Sequence, residues 1–467
     1  MRAHPITIVG NLWRVRYLIV IPVLRGFFLA LGGNLTDWAR GSWLDIMILL
    51  GMLGFAVLRW RGVLFLWDEK LLHIRSGLIF SADAAIPWKK VVTVSVYESF
   101  YLRPFRAVRL RLDTLGGSAR ESNFSILLDP ETAGLLLEKH GGKFPREKSF
   151  APSKRSILGQ SLLNSNSFAG IVFAAAFISQ SGQLIGQGLA GEVIGAFEEV
   201  ARALAFGLPP AAAAIAILLL AGWAVSSLLE LDRYSDMMIN IENGALRISA
   251  GLLTKREYSV AYGKIGYVNI RQSLITKLLG LYSLYISAVG YAKQKEDISC
   301  LIPAESGEAF ERSRLRFFPR LAPAPRTLAP EKKGAARFVM PAVYFCLGII
   351  LITLLALWRA EGWGRFIIFA GAMAMVPALC FLAVGVADYR TGGISKEDDV
   401  YTLRYSKGFY LHTVVARADK IVQVELNQSI FQRGKNMCDL IVHTRCEGRR
   451  RHRLRSLDMR EARKYLL

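Results

Sequence analysis

The chain runs to 467 residues with a formal net charge of +22, 21% charged residues and a mean hydropathy of +0.31. That combination excludes an evenly mixed soluble domain: charge and apolar character must be segregated, as membrane-crossing runs alternating with basic segments that face anionic partners. Five cysteines with no CxxC suggest no disulfide framework.

The opening MRAHPITIVGNLWRVRYLIV shows no clear small-residue cleavage site, so 1–16 reads as a retained cytoplasmic or interfacial arm. Two apolar runs, 17–35 and 43–58, form a first hairpin over 17–58. A polar segment, 59–141, and a linker, 142–160, lead to a second hairpin over 161–229, with runs 168–186 and 206–229. A second polar segment, 230–318, and a Pro-rich linker, 319–336, precede a third hairpin over 337–387, with runs 338–358 and 366–387. The third polar segment is 388–467. Each run approaches the ~20 residues that cross a bilayer as a helix. The connections inside the pairs hold Arg40, Arg202, Arg359 and Arg365 against Asp37, Glu192, Glu198, Glu199 and Glu361. The long segments are flanked instead by Arg59, Arg61, Lys154, Arg155, Arg233, Lys332, Lys333, Arg337 and Arg390. The positive-inside rule therefore predicts six spans with both termini in the cytoplasm.

The three polar segments repeat one pattern. Gly77, Gly251 and Gly408 each follow a first strand, at positions suited to a turn with positive φ. Lys90, Lys264 and Lys420 come next, and nine residues after each stands Ser99, Ser273 or Ser429. Eleven residues on, Leu110, Leu284 and Leu440 open the core face of a further strand with period-two alternation. Each unit closes on an amphipathic helix: Asp129 and Pro130 start the first, Pro303 and a weaker cap the second, Asp458 the third.

The first copy, LHIRSGLIF…IPWKKVVTVSVYES…LRPFRAVRLRLDTLGG, resembles the bacterial YdbS/YdbT-like membrane proteins with pleckstrin-homology (PH) domains, and the three-copy layout resembles their YdbT branch. The resemblance implies an α+β membrane protein. Six transmembrane helices in three hairpins would alternate with three PH-like domains, each an antiparallel sandwich or barrel plugged by its C-terminal helix. It says little about activity, because this fold hosts many binding functions. The third copy departs most: it lacks Ile-Pro before Lys420, and Cys446-Glu447-Gly448 replaces the Gly pair.

Catalytic and cofactor signals are few. GQGLAG (186–191) follows an apolar run and reads as a glycine turn, not a dinucleotide loop. Cys438 and His443 have opposite strand parity, so with Cys446 and His452 they are not expected to converge on a metal. The recurrent Ser residues have no His or acidic partner at fixed spacing and read as turn residues. Arg25, inside the first run, reads as lying near an interface. No catalytic residue, metal or cofactor is expected.

The basic strands remain. Arg109 and Arg111 in the first copy, and Arg449, Arg451, Arg453 and Arg455 on one face of RRRHRLR in the third, are the candidate contacts to anionic phospholipid headgroups. Nucleic acid is not expected, since no aromatic platform is interleaved with the basic run of the last copy. The expected function is a non-enzymatic binding or assembly platform at the inner leaflet of a bacterial cell membrane. Its partners would be the bilayer, a second membrane protein, or further copies of itself. A transporter or export component is the alternative.

Overall fold

A computed structural model describes residues 2–20, 35–68, 70–77, 81–114, 124–141, 148–164, 210–242, 244–292, 297–360, 362–446 and 448–466. They form two compact units: 1–145 with 242–248 and 253–263, and 146–241 with 249–252 and 264–467.

Helices α1 (Thr7–Arg14) and α2 (Leu35–Arg61) precede the first copy. Its strands are β1 (Leu64–Trp67), β2 (Leu71–Ser76), β3 (Ala82–Pro87), β4 (Val91–Ser99), β5 (Val108–Thr114) and β6 (Phe124–Leu128), followed by helix α3 (Pro130–Gly141). Strand β7 (Lys148–Phe150) and helices α4 (Lys154–Asn164) and α5 (Pro210–Tyr234) lead to the second copy. There β8 (Met238–Glu242), β9 (Ala245–Ala250), β10 (Thr254–Ala261), β11 (Ile265–Ser273), the short α6 (Leu274–Leu278), β12 (Leu281–Ala288), β13 (Cys300–Ser306) and α7 (Gly307–Phe317) follow in order. Helices α8 (Ala336–Arg359) and α9 (Gly364–Thr391) precede the third copy. It comprises β14 (Gly393–Glu397), β15 (Val400–Lys407), β16 (Tyr410–Arg417), β17 (Ile421–Asn427), the single turn α10 (Ile430–Arg433), β18 (Met437–Cys446), β19 (Gly448–Asp458) and α11 (Met459–Arg463).

Each copy is written as three strands, a 3-10 turn ending on the motif Lys, three more strands, and a helix. The turns are Trp88–Lys90, Tyr262–Lys264 and Ala418–Lys420. In the first copy Phe65, Leu72 and Ile74 face Val91, Val94, Leu110 and Leu112, and Leu136 and Leu137 of α3 close the core. In the third, Ile394, Leu403 and Val414 face Ile421, Leu440, Val442 and Leu454, with Ala462 of α11 as the plug. Leu110, Leu284 and Leu440 are fully buried, and burying such a side chain contributes about 1.5–3 kcal/mol.

Asp458 caps α11 by accepting the Arg460 and Glu461 N–H groups. The second closing helix starts later than its sequence suggests. Pro303 lies in β13, which stays paired with β12 through Ser306, and α7 begins at Gly307. Strand β18 also departs from simple alternation: every residue from Met437 to Thr444 is buried, so both of its faces are covered.

Gly77, Gly251 and Gly408 have φ of 134°, 105° and 62°. Gly408 is the first residue of the two-residue turn between Lys407 and Tyr410, where a right-twisting hairpin favours positive φ. A Cβ there would meet open space, so Gly408→Ala isolates the backbone cost. It should lower the thermal stability of the protein by about 1 kcal/mol, measured in detergent against the parent chain.

The copies are joined edge to edge. In the first unit the strand order is β6-β5-β4-β10-β9, so β4 of the first copy takes β10 of the second as its antiparallel neighbour. In the second unit the order is β13-β12-β11-β16-β15-β14, with β11 of the second copy paired to β16 of the third. Two three-stranded sheets, β1-β2-β3 and β17-β18-β19, complete the set.

The expectation of six spans is corrected. Among the described residues two helices are long and apolar enough to cross a membrane: Lys332–Arg359, which is α8 with its preceding turn, and Ile367–Thr391 of α9. Most of run 17–35, including Arg25, and all of run 168–186 lie outside the described residues, as does the glycine turn at 186–191. Runs 43–58 and 206–229 fall largely on α2 and α5. The side chains of 35–42 and 44 in α2 and of 210–220 in α5 lie outside the described residues. Helices α8 and α9 pack through small residues. A Cβ on Gly385 would collide with the Phe338 carbonyl, and one on Gly371 would lie 2.6 Å from Thr353 Oγ1.

Candidate membrane-contact turns

The Ser that ends each motif strand starts a tight turn. Ser273 caps α6: its hydroxyl accepts the Thr276 N–H at 3.2 Å, and its own N–H donates to Thr276 Oγ1 at 2.7 Å. At Ser429 the backbone N–H donates to the Gln432 side-chain carbonyl at 2.8 Å. At Ser99 the carbonyl accepts the Leu102 N–H at 2.8 Å. The third residue after each Ser, namely Leu102, Thr276 or Gln432, is buried and pins the turn.

Pinned there, the turns present large apolar side chains to the outside. Phe100, Tyr101 and Phe105 are exposed in the first copy, and Ile275 and Leu279 in the second. Leu278 is 89% exposed, Ile430 83% and Phe431 88%. Basic residues stand beside them: Arg103 and Arg106, Lys277, and Arg433 and Lys435. Partial burial lowers the pKa of Lys277. Apolar tips flanked by cations are unfavourable in water and suited to the headgroup boundary of a bilayer.

In the second unit this surface adjoins the two long apolar helices. The α6 turn lies against α9. Phe409 meets Phe381 of α9 edge-on at 6.3 Å between ring centroids. The end of α9 is tied down as well: Ser406 donates to Asp388 at 2.7 Å, and Arg326 to the Arg390 carbonyl at 2.6 Å.

Asp439, on β18, organises the third turn. Its side chain is 2% exposed. It accepts from Arg337 at the start of α8 (3.0 Å), Arg453 on β19 (2.6 Å), the Gln432 amide (2.8 Å) and the Ser456 N–H (3.0 Å). Burial alone would raise its pKa; the Ser456 N–H, Arg453, Gln432 and Arg337 together hold it below the ordinary carboxylate value. One buried carboxylate thus fastens the exposed turn, the root of the apolar helix α8 and the basic strand.

The description "Bacterial PH domain" belongs to a family model that matches residues 18–138 and 194–316, just over half of the chain. The chain belongs to the bacterial PH domain family. It is also 20% identical over 378 residues to the UPF0699 transmembrane protein YdbT of Bacillus subtilis (strain 168), covering 75% of this chain and 76% of that one. No solved structure gives a significant match. With its two apolar helices and a transmembrane relative, this bacterial PH-domain chain is a membrane protein.

Of the residues singled out in the sequence, Lys90, Lys264 and Lys420 each end a 3-10 turn, and Ser99, Ser273 and Ser429 begin the exposed turns. Of the candidate arginines, Arg111 lies over the Tyr97 ring at 4.3 Å, and Arg109 is half-buried on β5. Arg451 is exposed, Arg453 is committed to Asp439, and Arg455 is half-buried. The Arg449 side chain lies outside the described residues. The apolar tips and Asp439 were not anticipated. Their signal was available: an apolar pair directly after the recurrent Ser, where a strand should have ended in polar turn residues.

Proposed function

We propose that this protein is a non-catalytic, membrane-anchored platform of PH copies, seated on the inner leaflet of a bacterial cell membrane by the turns that follow Ser99, Ser273 and Ser429. The observation that carries this reading is the outward display of Phe100, Tyr101, Ile275, Leu278, Ile430 and Phe431 beside basic residues, with α6 against the spanning helix α9. The exposed faces of the basic strands, including Arg451, would add electrostatic attraction to anionic lipid, about 1 kcal/mol for each basic side chain near the surface. The α8–α9 connection at 360–363 would face outwards and both termini inwards, in keeping with Arg337 and Arg390 at the helix roots.

The test places a polarity-sensitive dye on a single cysteine at Phe431, Leu278 or Tyr101, in proteoliposomes containing anionic lipid. Lipids bearing a quencher near the headgroup should quench all three, and should leave a dye at Arg417, an exposed β16 residue, unquenched. Three unquenched turn positions would end the seating model. For orientation, Ala360→Cys should react with an impermeant reagent applied to whole cells, and a cysteine at 450 should not; the opposite pattern would reverse the assignment.

A further inference from the structure

The two junctions between copies obey one register. In the first, Ser99, nine residues after Lys90, stands opposite Thr254, ten residues before Lys264. In the second, Ser273, nine residues after Lys264, stands opposite Tyr410, ten residues before Lys420. The pairing then continues antiparallel, residue for residue: Tyr97 with Arg256 in one, Arg271 with His412 in the other. Each junction joins the strand after a motif Lys to the strand before the next one.

By that rule two strands lack their counterpart. Strand β17 follows the last Lys and is an edge strand among the described residues, with β18 as its neighbour. Strand β3 precedes the first Lys and is likewise an edge, with β2 as its neighbour. The two form the complementary halves of a third junction.

We propose that β17 of one molecule pairs with β3 of a second copy of this chain, in the register of the internal junctions, so that molecules assemble head to tail. The rule sets Asn427 opposite Ala82, Leu426 opposite Asp83, Glu425 opposite Ala84, Val424 opposite Ala85 and Gln423 opposite Ile86. No like charges face each other. The outer side of β3 is open: Ala82, Asp83, Ala84 and Ala85 are exposed and small, so a neighbouring backbone can approach. Pro87, which could not donate to a ladder, stands three residues before Lys90. That is one residue past Val260, the corresponding last pair of the first junction. Edge strands of this kind are templates for strand addition. The contact joins two different surfaces, so it generates a ring or an open array and not a closed dimer. It stands independently of whether the turns enter lipid.

The test is cross-linking between two populations of the full-length protein in one membrane, with Cys346 and Cys380 replaced by Ala. One population carries Ala84→Cys, the other Glu425→Cys, under different tags; a second combination uses Ala85→Cys with Val424→Cys. Neighbouring pairs alternate between hydrogen-bonded and non-hydrogen-bonded sites, so one combination has the closer Cα spacing that a disulfide accepts. Mild oxidation should join the two tags in at least one combination, and chains carrying both cysteines should form a ladder beyond the dimer. Ala82→Cys with Val422→Cys, which the register holds apart, should not join, and adding Ala84→Pro to the Ala85→Cys chain should abolish its product. Glu257→Cys with Val96→Cys, an in-register internal pair, reports that the junctions are intact. If the internal pair closes while neither intermolecular pair does, the proposal fails. Equal cross-linking at the out-of-register pair also overturns it.

Discussion

Asp439→Ala is expected to destabilise the third copy by about 3 kcal/mol, through the loss of acceptors for buried donors. The Ser456 N–H and the Gln432 amide are buried and depend on this carboxylate. Arg337 and Arg453 contribute less to the loss, because both are more than one-third exposed and can turn to water. Chemical denaturation in detergent measures the total. A second readout separates the local effect. With Gln432 released, a dye at Phe431 should lose its fixed position and its emission should broaden in proteoliposomes. An unchanged midpoint and an unchanged dye would show that Asp439 does not organise the turn.

Mild acid should weaken the junction between the second and third copies. His412 stacks on Tyr405 and bonds to Asn269 on the facing strand β11. His452 is held between the Tyr405 hydroxyl at 2.8 Å and Thr444 Oγ1 at 3.0 Å. Burial, reinforced by Arg271 and Lys407, lowers the pKa of His412 to about 4. Burial, reinforced by His412, Lys407, Arg450 and His443, lowers that of His452 to about 3. The unfolded chain takes up these protons near pH 6.5 and the folded chain does not, so folding loses stability as pH falls below about 6.5. Each His then costs about 1.4 kcal/mol per pH unit, or roughly 2 kcal/mol at pH 5. Asp439, whose pKa is lowered, keeps its contribution throughout that window and loses it only at lower pH. Denaturation midpoints at pH 7 and pH 5 should therefore differ strongly in the parent chain. The difference should shrink in His452→Gln and His412→Asn, whatever their stability at pH 7. An identical drop in the double variant would show that other groups carry it.

The repeat was legible because it is local. Gly408 needs its φ within one turn, and Leu110 marks a core face by alternation over a few residues. Asp458 announces a helix from the position before it. The closing helix of the second copy was misplaced because Pro303 resembles a helix start, while its strand is held in place by β12, which lies some twenty residues earlier. The junctions were invisible for a related reason. Pairing β4 with β10 leaves no periodicity beyond that of each strand, so an edge closed within its copy and an edge shared with the next read alike. Of the six runs, those on α8 and α9 are long and apolar enough to span among the described residues. Of the candidate site, the basic residues were readable as charge. That Arg453 is committed to Asp439, and that Ile430 and Phe431 face outwards, depends on which backbone turns are pinned from inside.

The shared sheets also set an order of events during synthesis. About 155 residues separate Ser99 from its partner Thr254, and a ribosome adding roughly 5–20 residues each second needs about 10–30 s to make them. Throughout that interval β4 waits as an open edge, and the same wait follows for β11 until β16 emerges. At each junction the nascent chain thus exposes the strand behind its newest copy until the next copy arrives. Slowed translation between 100 and 254 should raise misassembly of the first copy, while a free polypeptide supplying 253–263 during synthesis should compete for its edge.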